Sequence, residues 1–146
     1  MQPYPRRTVV LLTGPPGAGK STAARESGLP IYDRDDPQWV SEAQFREALR
    51  LVGDDPRARA VVIRAGATRR GRDQAAALIN PTHTYLISGP RADLASRIQR
   101  RGRADTVTTL AALNTWFRAH EEDGQYVLPF PGWDTVRAGD IGLTSL

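Results

Sequence analysis

Thr8-Val9-Val10-Leu11-Leu12-Thr13-Gly14-Pro15-Pro16-Gly17-Ala18-Gly19-Lys20-Ser21 is the stretch that decides the fold. Its first six residues are apolar or β-branched and bounded by Arg7 and Gly14. They predict a strand buried on both faces, as in a parallel sheet. The next eight match G-x-x-x-x-G-K-[ST] in full. Glycines at that spacing let the backbone curl until successive N–H groups point into one cavity, an anion nest. A helix from Lys20 to about Ser27, ended by Gly28, adds the positive end of its dipole. The chain's own Gly, Lys and Ser/Thr frequencies produce the pattern by chance in roughly one of a thousand such sequences.

Composition narrows the setting. The chain has 146 residues and 16.0 kDa, which predicts one domain over residues 1–146. Hydrophobic residues make up 40%, and the mean hydropathy is −0.45, as in soluble globular proteins. No apolar run reaches the ~18 residues that a transmembrane helix needs, so no membrane partner is expected. Met1 to Arg7 lacks the apolar stretch of a signal peptide. Without cysteine there is no disulfide framework, thiolate metal site or cysteine nucleophile, and the expected compartment is the cytoplasm. His83 and His120 lack neighbours at ligand spacing, so no structural zinc is expected. A net charge of +4 with pI near 10.1 favours anionic partners such as nucleotides or nucleic acid. Nineteen of the twenty basic residues are Arg, and the single Lys is Lys20, where the motif requires one.

Outward from the loop, strands and helices alternate. Pro30 to Asp33, Ala60 to Ile63 and Thr82 to Ser88 read as further strands. Asp36-Pro37 predicts a helix start, with Phe45, Ala48, Leu49 and Val52 on one face and Gly53-Asp54-Asp55-Pro56 as its end. Gly71 to Asn80, Ala92 to Arg101 and Thr106 to His120 read as helices, and residues 124–146 as an irregular tail packed by Tyr126, Phe130 and Trp133. This alternation predicts a three-layer α/β domain with a parallel sheet of four to five strands flanked by helices.

On the strand, loop and helix quoted above, and on the ordered elements from Thr8 to about Arg103, the chain resembles the P-loop kinases, which act on nucleosides, nucleotides, polynucleotides and metabolites. It looks most like small kinase-like proteins of bacteria and phages, several of which resemble polynucleotide kinase. The resemblance implies the P-loop NTPase fold, with ATP or another NTP and Mg²⁺ as cofactors. Gly14, Pro15, Pro16, Gly17, Ala18, Gly19, Lys20, Ser21 and Thr22 would then hold the phosphates. Lys20 would reach the β- and γ-phosphates, and the Ser21 hydroxyl the metal.

Asp33-Arg34-Asp35-Asp36 follows the second strand, at the sheet end that forms the crevice of an open α/β fold. Phosphoryl transfer asks for one carboxylate near the metal and one to orient the acceptor hydroxyl. The resemblance gives Asp33 the first role and Asp35 the second; the alternative is a set of carboxylates that cap and solvate a turn. Arg97, Arg101 and Arg103 fall in a segment of about residues 90–105 that the resemblance makes a mobile lid closing on the phosphates, with Gly102 as hinge. The alternative is a solvated helix end. Arg57, Arg59, Arg64, Arg69, Arg70 and Arg72 flank the third strand, either to bind an acceptor or to pair with nearby Asp. Many relatives end that strand in Asp, whereas this chain has Arg64 there. Trp39 stands where a base could stack, against the alternative of a core aromatic.

The expected enzyme is an ATP-dependent kinase whose acceptor is the 5′-hydroxyl at a single-stranded nucleic-acid end. A nucleoside, nucleotide or small metabolite is the alternative acceptor, and a nucleotide-binding module without transfer activity is the rival.

Overall fold

The computed structural model describes residues 3–139. Four strands, β1 (Thr8–Thr13), β2 (Ile31–Asp33), β3 (Arg59–Ile63) and β4 (His83–Leu86), form one parallel sheet in the order β2-β3-β1-β4. Among the described residues six helices accompany them: α1 (Lys20–Glu26), α2 (Glu42–Asp54), α3 (Arg69–Ile79), α4 (Arg91–Arg101), α5 (Thr106–Asp123) and α6 (Trp133–Arg137). β1 is buried along its whole length, as its unbroken apolar run predicts for a central parallel strand.

Because side chains alternate across a strand, β1 feeds two cores. Val9 and Leu11 pack on one face with Phe45, Leu49 and Val52 of α2 and Ala75 and Ile79 of α3. Val10 and Leu12 pack on the other with Ala24, Tyr85, Trp133 and Val136. A third cluster, Ala18, Leu94, Ile98 and Leu113, fastens α4 and α5 beside the glycine-rich loop. The chain leaves β1 for β2, returns to β3 between them, and then crosses to β4 on the other side of β1. The strand order therefore reverses at β1, and the crevice opens at its carboxyl end.

Two expectations are corrected. Asp36-Pro37 starts a turn, not a helix. The Asp36 carboxylate accepts from the Gln38 amide at 3.1 Å, and Trp39 then packs against Tyr32 and Phe45. α2 begins only after Ser41, whose hydroxyl accepts from the Gln44 amide at 3.0 Å while Gln44 Oε1 accepts from the Val40 amide at 2.7 Å. That reciprocal cap was legible as S-x-x-Q. The tail is not irregular throughout, because it carries α6. Ahead of α6, Leu128 and Phe130 exchange backbone hydrogen bonds with Leu86 at 2.9 Å each, a single parallel bridge on the β4 edge. Residues 140–146 of the expected tail lie outside the described residues.

Candidate active site

The loop between β1 and α1 runs over one end of a cleft of about 920 Å³. Its glycines are there for backbone reasons. Gly14 has φ 150°, and a Cβ on it would lie 2.0 Å from the Ile87 carbonyl oxygen. Gly19 has φ 97°, caps α1 without any side-chain hydrogen bond, and faces open space. The first amides of α1 therefore have no intrahelical acceptor and no capping side chain, the arrangement that favours an anion.

Lys20 is folded onto this loop. Its Nζ donates to the carbonyls of Gly14 and Pro15. Burial lowers its pKa from 10.5 to about 8, against the opposing pull of Asp33 and Asp35. It is a desolvated cation held by two neutral carbonyls, which a phosphate oxygen would replace with a stronger partner.

One helical position on, Ser21 Oγ donates to Asp33 Oδ2 at 3.1 Å, and Asp33 Oδ1 accepts from the Asp35 amide at 3.1 Å. Residues from α1 and from the end of β2 thus meet, because both lie at the carboxyl edge of the sheet. Two adjacent oxygen donors suit a hard cation that takes its remaining ligands from phosphates and water. Among the described residues no cluster of three or more His, Asp or Glu gathers at metal distance.

Asp35 is exposed along the cleft, and Arg101 and Arg103 line it from the α4–α5 side. Arg97 does not line it, and its guanidinium reaches the Gly17 carbonyl at 3.5 Å. Of the six arginines flanking β3, Arg64 alone lines the cleft. Its guanidinium lies over the Phe45 ring and pairs with Glu42 at 2.8 Å, while Arg34 pairs with the other Glu42 oxygen at 3.2 Å. Hydrogen bonding from Arg64, then from Arg34, holds the Glu42 carboxyl below its ordinary pKa. Trp39 is a core aromatic outside the lining.

Sequence reasoning missed Glu42 and Arg46. They stand four residues apart on α2, and their only signal was that i, i+4 spacing beside the apolar face. It also missed what holds α5. The Trp116 indole N–H donates to the Ala65 carbonyl at 2.8 Å, and His120 Nδ1 meets the Ala67 carbonyl at 3.1 Å. Buried Arg72 donates to the carbonyls of Gly66 and Ala67 and pairs with Asp123 at 2.9 Å. The far end of α5 is thus fixed to the β3–α3 loop, while its first turns, with Thr108 and Thr109, line the cleft.

No family model matches the chain, and no curated protein does. Solved structures do. A gluconokinase from Sinorhizobium meliloti 1021 superposes with TM-score 0.57 at 19% identity, covering 96% of this chain and 95% of that one. Shikimate kinase from Acinetobacter baumannii, in complex with shikimate, gives 0.52 at 16%, covering 94% and 93%. The YorR protein from Bacillus subtilis, in complex with phosphorylated GDP, gives 0.56 at 16%, covering 95% and 96%. At such identities the likeness is one of fold: the chain shares the architecture of these proteins, a parallel sheet flanked by helices.

Proposed function

We propose that the protein is a phosphotransferase that moves the γ-phosphoryl group of ATP, bound with Mg²⁺, to a hydroxyl of a small molecule. The observation that carries this reading is the convergence of Lys20, the Ser21–Asp33 pair and Asp35 on one cleft at the glycine-rich loop. Lys20 exchanges its two carbonyl partners for phosphate oxygens. Ser21 and Asp33 would hold Mg²⁺, which would offset phosphate charge. Asp35 orients the acceptor hydroxyl and takes its proton. The hydroxyl oxygen bonds to the γ-phosphorus as the bond to the β,γ-bridging oxygen breaks, and ADP leaves. Arg101 and Arg103 offset the charge spread over the transferring group.

The polynucleotide acceptor expected from the sequence gains no support from the structural relatives. Two of those named above are kinases of small molecules, which favours the alternative.

The test is transfer of labelled γ-phosphate from Mg·ATP to sugars, hydroxy acids, nucleosides, nucleoside monophosphates and 5′-hydroxyl oligonucleotides. Label on a small molecule is expected, and label on oligonucleotides alone would restore the polynucleotide reading. Asp35→Asn should keep ATP affinity and lose about 10²–10⁴ in kcat. An Asp35→Asn protein with unchanged turnover would remove Asp35 from the chemistry.

A further inference from the structure

Resting on that reading, we infer that the acceptor is itself an anion: a small hydroxyl compound carrying a carboxylate or phosphate that Arg34, Arg46 and Arg64 receive. The cleft is lined by seven basic side chains and three carboxylates; of these Arg25, bonded to Thr22 on α1, and Asp105, at the start of α5, stand on the α1 and α5 elements, away from α2 and the end of β3. Lys20, Arg101 and Arg103, with the uncapped start of α1, lie with the loop and face the triphosphate; Asp33 goes with the metal. The other end keeps Arg34, Arg46 and Arg64 against Asp35 and the neighbouring Glu42.

Glu42 cannot neutralise that group. Its two oxygens are shared between two guanidiniums, taking only Nε of Arg34 and one terminal nitrogen of Arg64. Arg64, held by Glu42 through one terminal nitrogen and by the Phe45 ring, lines the cleft. Arg46 stands one turn along α2 from Glu42, and among the described residues it has no ion pair within 4 Å. One net positive charge is left at this end. A neutral acceptor would leave it uncompensated when the cleft excludes water, whereas a carboxylate or phosphate would accept paired N–H bonds from planar guanidiniums.

The experiment loads the protein with Mg²⁺ and the non-hydrolysable analogue AMP-PNP, so that the γ-phosphate position is filled. Malonate and inorganic phosphate are then titrated in separate arms, followed by calorimetry and by arginine Nε resonances. Saturable binding of one of them is expected, with the two arms telling carboxylate from phosphate. Arg46→Gln and Arg64→Gln should each weaken it at least tenfold and leave AMP-PNP affinity within about twofold. In turnover, gluconate against glucose and ribose 5-phosphate against ribose should show kcat/KM higher for at least one charged partner by tenfold or more, the difference shrinking in Arg46→Gln through KM. No anion binding beside bound AMP-PNP, or equal use of neutral and charged partners, would overturn the inference and leave the phosphotransferase reading standing. Failure of AMP-PNP itself to bind would overturn both.

Discussion

Lys20 couples the site to pH. Its folded pKa of about 8 lies below the 10.5 of the free side chain. The unfolded chain therefore holds this proton more tightly than the folded one. The cost of burying the charge is fully present below about pH 8 and is relieved as pH rises toward 10.5. In the proposed function nucleotide binding would run the other way, because phosphate oxygens would keep Lys20 protonated. We expect affinity for Mg·ATP to be insensitive to this group below pH 8. Above it, affinity should fall by up to about tenfold per pH unit, with uptake of a proton on binding. Calorimetry at pH 8.5–9 in buffers of different ionisation enthalpy reads that proton, and Lys20→Met should abolish the uptake and cost about 10–100-fold in affinity. An unchanged proton count in Lys20→Met would assign the titration to another group. The residue was legible because one Lys among twenty basic side chains sits at the one motif position that needs it. Its depressed pKa was not, since burial is a property of the folded loop.

At the scale of elements, local signals placed most of the secondary structure and tertiary contacts set its limits. Gly53 reads in the sequence as part of a helix stop, yet α2 continues through it to Asp54. The reason is α3: a Cβ at Gly53 would lie 1.9 Å from the Leu78 carbonyl oxygen, so the glycine permits two helices to touch. Helix propensity alone predicts that Gly53→Ala stabilises by about 1 kcal/mol. The close approach predicts the opposite sign, a loss of about 1–3 kcal/mol. Urea unfolding of that variant decides between them. The start of α2 failed for a related reason. Asp36 caps a single turn, and the burial of Trp39 beside Tyr32 and Phe45 directs the chain inward before Ser41 can cap.

Across the whole molecule, the Arg72–Asp123 pair joins the β3–α3 loop to the end of α5, and so links both walls of the cleft. Arg72→Met would remove the partner of the Gly66 carbonyl and leave the nearly buried Asp123 carboxylate without its guanidinium. A loss of about 2–4 kcal/mol is expected by chemical denaturation, and an unchanged midpoint would show that the pair contributes nothing net. The sequence by itself determined the strand, the glycine-rich loop, the helix after it and the alternation that makes the sheet parallel. These rest on residues within one or two turns of each other, where spacing and backbone freedom decide. Only the tertiary structure decided which of the nineteen arginines serve the cleft, that Glu42 gathers Arg34 and Arg64, and that Arg72 is buried with Asp123. Those partners stand 22 and 51 residues apart for Arg64 and Arg72. Charge pairing over such separations depends on where the crossovers set each helix against the sheet, which no local pattern of residues encodes.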